Sequence, residues 1–179
     1  MKSITTPLNY ESIKSLKAGD EVRLSGVIYT ARDQAHKRLM TLIKNNKKLP
    51  VDLQKQIIYY CGPTKTPKGK IIGSCGPTTS LRMDLFVEPL LKKGILGMIG
   101  KGRRSKLVHD LIKSHKAVYF LAPSGCGALL SEFVVSKETV AFKDLGPEAL
   151  RKLTVKNFPL IVGIDSNGCG LFSQFTAKI

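Results

Sequence analysis

The stretch Gly73-Ser74-Cys75-Gly76-Pro77-Thr78-Thr79-Ser80-Leu81-Arg82-Met83-Asp84 is the most informative part of this chain for both fold and function. A short apolar run at 70–72 comes before it and predicts a strand that ends in this Gly/Pro loop. Three hydroxyl residues follow, and such residues are favoured where a helix begins, because their oxygens accept hydrogen bonds from free backbone N–H groups. The stretch therefore predicts a strand, a loop and a helix in succession.

The same stretch predicts an anion-binding pocket. Helical side chains lean toward the N-terminus of their helix, so Arg82 can point over the loop beside the hydroxyls of Thr78 and Thr79. Lys101 lies between two glycines, which let a ligand approach the backbone closely. Backbone N–H groups, hydroxyls and a guanidinium together suit a carboxylate or a phosphate. The alternatives are plain helix-capping threonines, an ordinary turn around Lys101, and an Arg82 that pairs on the surface with an acidic residue of its own helix.

On both sides of this stretch, segments with a strand pattern of apolar residues alternate with segments that have a helix pattern. We predict an α/β fold in a single domain over 1–179, with a mixed sheet and flanking helices. The predicted strands are 21–28, 57–60, 95–99, 117–121 and 160–164, and the predicted helices are 9–16, 33–43, 80–93, 103–114 and a short one opened by Pro147. Asn167-Gly168 predicts a tight turn near the end of the chain.

The chain is strongly basic. It has 29 Lys and Arg against 13 Asp and Glu, a formal net charge of +16. Nucleic-acid binding would account for this charge, yet only 101–106 is dense in basic residues, and there is no zinc-finger spacing or aromatic-rich basic strand. A surface that meets an acidic partner subunit would account for it equally, as would a field that attracts anionic substrates. No apolar run approaches the roughly 20 residues of a membrane span, so we expect a cytoplasmic protein with no membrane association.

The four cysteines are too far apart in sequence for a C-x-x-C metal or redox motif: Cys61, Cys75, Cys126 and Cys169. Each one neighbours a glycine, which suggests tight turns or close backbone approach. The pattern is typical of small buried thiols in a reducing compartment, and we expect no metal or cofactor bound by this chain alone.

Arg32 and His36 lie four residues apart and share one face of the predicted helix. This pair fits a carboxylate clamp at a strand end, with the histidine nearby, and it fits equally a solvated basic helix face. No single position separates these interpretations.

Five motifs in one order carry a resemblance over most of the chain. They are Gly-x-x-Tyr-Thr-Ala-Arg-Asp-x-Ala-His-Lys-Arg (26–38), Tyr-Tyr-x-Gly-Pro (59–63), Gly-Pro-Thr-Thr-Ser-x-Arg-Met-Asp (76–84), Ile-Gly-Lys-Gly (99–102) and Asp-Leu-Gly-Pro-Glu-Ala (144–149). With them the chain resembles the beta subunit of the iron–sulfur hydro-lyases, class I fumarate hydratase and L(+)-tartrate dehydratase, from about residue 5 to 175.

The resemblance implies a swivelling β/β/α domain that works with a cluster-bearing alpha subunit, in a heterodimer or heterotetramer. In this family the alpha part holds a [4Fe-4S] cluster with one open iron, and the beta part contributes groups across the interface. Carried over by motif, Arg32, Arg82 and Lys101 match the groups that hold substrate carboxylates. Thr78 matches the proposed catalytic base, and Thr79 adjoins it as a further substrate-binding residue. The catalytic acid is expected on the partner.

The implied chemistry is the reversible hydration of fumarate to (S)-malate. Dehydrating malate removes a proton from C3 and hydroxide from C2; the open iron would polarise the C2 hydroxyl, and cations would hold the carboxylates. Tyr29 to Asp33 favours fumarate as substrate, whereas Gly125-Cys126-Gly127 resembles the tartrate enzyme. Cys61 stands where the family motif leads us to expect alanine. A nucleic-acid-binding module and a stand-alone anion-binding protein derived from the family remain the competing hypotheses.

Overall fold

A seven-stranded mixed sheet forms the centre of the chain in a computed structural model, which describes residues 1–172. The strands are β1 (Lys2–Thr5), β2 (Glu21–Thr30), β3 (Ile57–Tyr59), β4 (Gly97–Gly100), β5 (Val118–Leu121), β6 (Val134–Ala141) and β7 (Leu150–Ile164). The helices are α1 (Tyr10–Lys14), α2 (Asp33–Lys44), α3 (Asp84–Lys92), α4 (Lys106–His115) and α5 (Gly127–Ser131), with 3₁₀ turns at Ser80–Met83 and Lys143–Glu148.

The long strand β7 closes the sheet on itself. Strands β1 to β5 run parallel in their chain order, and β7 pairs antiparallel with β5, β6 and β2. Because β7 contacts both β2 and β5, the pairings complete a ring of β2, β3, β4, β5 and β7. The fifteen residues of β7 make this possible, since residues 151–161 pair with β2 and residues 161–164 pair with β5.

Two apolar layers hold this arrangement together, one on each face of the sheet. In β3, Ile57 and Tyr59 belong to the cluster inside the ring, while Ile58 packs with the helices outside it. Successive strand residues point to opposite faces, so the continuous apolar run of β3 is required by burial on both sides. The outer layer includes Leu39 of α2 and Val87 of α3.

The carboxyl ends of the parallel strands meet at one edge of the sheet. Arg32 follows β2, the loop 61–79 follows β3, Lys101 follows β4 and Ser124 follows β5. Ligands bind at this edge in open parallel sheets and in closed parallel barrels alike, because the loops that leave neighbouring strands converge there. The fold therefore brings the sequence-predicted site residues to a common place.

The predicted α/β class, with a mixed sheet and flanking helices, is confirmed, but one local prediction was wrong and another holds for a single turn only. Residues 70–72 form no strand: Ile72 is buried in the inner cluster, Ile71 is exposed, and β4 occupies the place beside β3. The short helix predicted from Pro147 is one 3₁₀ turn. Gly146, with φ +55° and ψ −119°, kinks the Lys143–Glu148 segment just before Pro147, the Ala149 N–H donates to the Gly146 carbonyl oxygen at 3.1 Å, and β7 begins at Leu150. The strand predicted at 160–164 is the last third of β7.

Candidate active site

Arg82 is the centre of a polar cluster at the carboxyl edge of the sheet. Its Nε and Nη2 donate to the two carboxylate oxygens of Asp33, at 3.1 and 3.2 Å, and Nη2 also donates to Thr78 Oγ1 at 3.0 Å. Hydrogen bonding to Arg82 lowers the pKa of Asp33, and the same bond raises the pKa of Arg82. The alternative in which Arg82 pairs with Asp84 or Glu88 of its own predicted helix is wrong, because its carboxylate partner is Asp33 of α2.

Thr78 is fixed by its backbone and by Arg82. Its N–H donates to the carbonyl oxygen of Tyr60 at 2.7 Å, which ties the loop to the end of β3. Its hydroxyl oxygen accepts from the guanidinium of Arg82, and an adjacent positive charge favours the deprotonated form of any hydroxyl. Thr79 lies beside it with an exposed side chain and pairs with Lys101 in a parallel bridge; it precedes the 3₁₀ turn without a side-chain capping bond.

Lys101 is held against the same loop through Ser80. The Ser80 N–H donates to the Lys101 carbonyl at 3.1 Å, and the Lys101 N–H donates to Ser80 Oγ at 3.0 Å. A side chain at Gly100 would be impossible in this geometry, since its Cβ would lie 1.9 Å from Ser80 Oγ. The Lys101 ammonium lies 3.4 Å from Ser124 Oγ and has no carboxylate within ion-pair distance in the part of the chain that the structure describes.

Arg32 lies at the start of α2, on the other side of Asp33. Its Nη2 lies 3.8 Å from Glu148 Oε1 and its Nε lies 3.9 Å from Asp33 Oδ2, both longer than hydrogen bonds. Within residues 1–172 the buried Nε–H has no hydrogen-bond partner. The side chain packs on Gly62, whose missing Cβ would lie 2.8 Å from Arg32 Cδ. Arg32 thus retains free donors at the edge of the cluster.

His36 is a core residue that supports Arg32 from below. Its ring stacks on Phe86, with centroids 5.2 Å apart, and its Nδ1 donates to the Arg32 carbonyl at 2.8 Å. Burial lowers the pKa of His36 to about 4, so the imidazole is neutral at physiological pH. The solvated-helix interpretation of the Arg32–His36 pair is therefore wrong for the histidine, which is buried next to Arg32.

Sequence reasoning missed the acidic residues that accompany the cations. Asp33 is the first residue of α2, Arg32 occupies the capping position, and the Asp33 carboxylate accepts from Arg82. Glu148 accepts from the Gln34 N–H at 2.8 Å and faces Arg32. Both residues lie inside motifs that the sequence displays, but no local pattern indicates which cation each one faces.

The dense basic segment at 101–106 is not a continuous charged surface. The Arg104 side chain is fully buried, donates from Nε to Asp84 Oδ1 at 2.7 Å and lies over the ring of Tyr119 at 4.8 Å from its centroid. A phosphate-binding strip requires accessible guanidinium groups, so this segment weakens the nucleic-acid hypothesis.

The cysteines do not form a metal centre. Cys61 and Cys75 are buried free thiols, and burial raises the pKa of Cys75 to about 12. Among residues 1–172, no group of three or more His, Cys, Asp or Glu side chains is placed to hold a metal ion. No helix in this described part is long and apolar enough to cross a membrane.

Comparisons with known proteins identify the family of this chain. The family model described as the fumarase C-terminus matches residues 3–175, so the chain belongs to the fumarase C-terminal family. A Methanocaldococcus jannaschii protein, whose name assigns it provisionally as an L(+)-tartrate dehydratase subunit beta, is 42% identical over 96% of this chain and 91% of its own length.

Two further relatives come from Escherichia coli strain K12. Its L(+)-tartrate dehydratase subunit beta is 35% identical, over 97% of this chain and 87% of its own length. Its aerobic class I fumarate hydratase is 36% identical over 97% of this chain, but the match spans only 31% of that longer protein. The family is therefore shared by separate subunits and by part of a larger chain.

Proposed function

We propose that this chain is the beta subunit of a two-subunit iron–sulfur hydro-lyase that catalyses the reversible hydration of fumarate to (S)-malate. The observation that carries the proposal is the cluster of Arg82, Thr78 and Asp33 beside Lys101 and Arg32. Similarity over 91% and 87% of two relatives named as beta subunits supports an alpha-subunit partner. The expected cytoplasmic location and an assembly as heterodimer or heterotetramer belong to this proposal.

In this proposal three cations bind the two substrate carboxylates. Lys101 has no carboxylate partner in the described chain, and Arg82 keeps its Nη1 uncommitted, since Asp33 and Thr78 engage only Nε and Nη2. Arg32 contributes a guanidinium whose nearest carboxylates lie beyond hydrogen-bond distance. Guanidinium groups favour carboxylates because their N–H donors match the two oxygens. Thr79 lines the same loop and would add a hydroxyl donor.

Thr78 is the proposed proton acceptor. Dehydration of malate takes a proton from C3 while hydroxide leaves C2, and negative charge develops toward the adjacent carboxylate. The Arg82 Nη2 donates to Thr78 Oγ1, which stabilises the deprotonated hydroxyl and places it next to the cation that would hold that carboxylate. The hydrogen bonds of Asp33 to Arg82 fix the guanidinium during this step.

In this proposal the iron–sulfur cluster is bound by the partner subunit. The described residues of this chain offer no ligand set for iron, and its two buried thiols have raised pKa values, which disfavour the thiolate that iron requires. The proposal therefore assigns this chain substrate binding and proton transfer only. The catalytic acid is assigned to the partner as well.

L(+)-tartrate is the second candidate substrate. Two of the relatives named above are tartrate dehydratase beta subunits, and the Gly125-Cys126-Gly127 loop adjoins Ser124, which faces Lys101. Tartrate is also a dicarboxylate with a hydroxyl on C2, so the same three cations would hold it. Its dehydration yields the enol of oxaloacetate, with the same loss of a proton and hydroxide.

The test is anaerobic reconstitution with a candidate cluster-bearing alpha subunit. Fumarate formation from malate and oxaloacetate formation from tartrate are followed in parallel, with each chain alone as control. Malate turnover that needs both chains supports the proposal. Turnover of tartrate alone would identify the chain as the beta subunit of a tartrate dehydratase. A stable complex with an intact cluster and no activity on either substrate would refute the proposal.

A further inference from the structure

A second basic cavity, of about 280 Å³, lies between the loop after β3, strand β6 and the start of β7. Its polar lining consists of three cations and two hydroxyls, with prolines completing the wall. No acidic side chain lines it among the described residues. The polar residues are Lys65, Lys137, Arg151, Thr64 and Thr66. None of the five belongs to the Arg82 cluster.

Arg151 is the most constrained of these cations. Its Nη1 donates to the carbonyl oxygens of Pro147 at 2.8 Å and Ala149 at 3.1 Å, and its Nη2 donates to that of Gly146 at 2.6 Å. These three bonds fix the plane of the guanidinium and leave its Nε–H and one Nη2–H without a partner in the described chain. No carboxylate lies within ion-pair distance of Arg151 in residues 1–172, and partial burial lowers its pKa.

The lysine opposite adds oriented donors. Lys137 Nζ donates to Thr66 Oγ1 at 2.7 Å, so the hydroxyl oxygen is engaged as an acceptor and its proton is free to donate. Two ammonium protons of Lys137 also remain. The walls therefore present N–H and O–H donors, and their side-chain acceptors are limited to hydroxyl oxygens.

Nearby carboxylates are committed elsewhere. Glu148 is the next residue in sequence after the wall residue Pro147, but its carboxylate accepts from the Gln34 N–H and faces Arg32. Glu132 pairs with Lys70 at 3.0 Å. Cations that share a cavity without a counter-charge repel one another, and a bound anion removes that repulsion.

We infer that this cavity binds a small oxydianion, a phosphate or a dicarboxylate, through Arg151, Lys137 and the Thr66 hydroxyl. The guanidinium provides the fixed pair of donors, and the lysines provide the compensating charge. The site adjoins Arg32 through Gly62, whose Cβ position lies 2.8 Å from Arg32 Cδ and 3.3 Å from the Pro147 carbonyl oxygen. The inference holds whether or not the chain takes part in a hydro-lyase.

The test is calorimetric titration of the full chain with inorganic phosphate, and separately with succinate, at low ionic strength. We expect saturable binding of at least one probe that is weakened about tenfold by Lys137→Gln and by Arg151→Gln. The matched control is Lys156→Gln, an exposed lysine on the same strand as Arg151, which should change affinity less than twofold.

The two probes identify the ligand class, and the variants identify the site. Binding of phosphate alone assigns a phosphate-type ligand, and binding of succinate alone assigns a dicarboxylate, provided that Lys137→Gln weakens it. Arg151→Gln could fail to fold, because three carbonyl groups lose their donor. In that case the affinity of the Lys137→Gln variant, whose lysine is partly exposed, tests the site alone. Absence of saturable binding, or binding that Arg82→Gln abolishes and Lys137→Gln leaves intact, would overturn the inference.

Discussion

Replacing Asp33 with asparagine should lower the free energy of unfolding at neutral pH by roughly 0.5–1 kcal/mol. The carboxylate accepts two hydrogen bonds from Arg82, and it is 28% exposed while the arginine side chain is 48% exposed. A buried ion pair of this geometry would contribute more to the free energy of unfolding, but solvent screens the charge of a half-exposed guanidinium. An asparagine keeps one acceptor and turns an N–H₂ group toward the other donor.

The pH dependence of this loss identifies its cause. Hydrogen bonding to Arg82 holds the pKa of Asp33 below its usual value of 3.8, so the folded state binds this proton less tightly than the unfolded state. The stabilisation is therefore fully present above about pH 4–5 and disappears as the pH falls through the lowered pKa. Urea denaturation followed by circular dichroism, at pH 7 and at steps down to pH 3, measures the difference between the two proteins.

The control for this series is Asp110→Asn. Asp110 is 61% exposed and pairs with Lys106 at 3.5 Å within one helix, so its replacement should change the unfolding free energy by only a few tenths of a kcal/mol. Equal stability of wild-type protein and Asp33→Asn at pH 7 would show that the Asp33–Arg82 hydrogen bonds do not stabilise the fold. A difference that persists unchanged at the lowest pH would contradict the prediction as well, because it would not come from the ionised carboxylate.

Two further predictions concern the packing beneath the site. Gly100→Ala should destabilise the chain by roughly 1–3 kcal/mol, because the new Cβ would lie 1.9 Å from Ser80 Oγ and force a shift; urea denaturation measures this. In the native protein at pH 8, a thiol reagent should modify exposed Cys169 quickly and leave buried Cys75 unmodified, since burial raises the pKa of Cys75 to about 12; peptide mapping by mass spectrometry measures this.

Each of these two predictions has its own control experiment. Gly76→Ala is the control for the glycine, since its Cβ would lie 3.4 Å from Gly127 Cα, an ordinary contact, and equal losses for both variants would contradict the packing argument. For the thiols, urea-unfolded protein should react at both positions. Fast native modification of Cys75 would show that the loop after β3 opens more readily than its burial indicates.

The sequence was sufficient for elements whose pattern agrees with their surroundings. The alternation in β2 predicted 21–28, and the structure extends this strand to Thr30; the buried run of β3 was found to within one residue. Both predictions depend only on which residues need burial. Arg32 follows β2 and Lys101 follows β4, which was predicted at 95–99, so the strand end at which each residue lies was predictable as well.

Features set by long-range pairing were outside the reach of the sequence. Residues 70–72 have strand-like composition, but the adjacent place in the sheet belongs to β4, which lies 25 residues further along the chain. Asp33 and Arg82 are 49 residues apart, so their hydrogen bonds depend on how α2 packs against the 3₁₀ turn Ser80–Met83 that carries Arg82. Local sequence naturally pairs Arg82 with acidic neighbours of its own helix, and tertiary packing overrides that choice.

We propose that Arg82 of this chain binds a substrate carboxylate in an active site completed by a partner, and kcat/KM of the reconstituted complex is the measurement that decides this. The comparison is between wild-type, Arg82→Gln and Lys92→Gln, whose lysine is 64% exposed and pairs with Glu88 on α3. Loss of one charge-assisted contact of about 1.5–3 kcal/mol corresponds to a decrease of roughly 10- to 150-fold. We predict that decrease for Arg82→Gln and a change of less than twofold for Lys92→Gln. An Arg82→Gln complex that forms normally and retains wild-type kcat/KM would show that Arg82 does not bind the substrate.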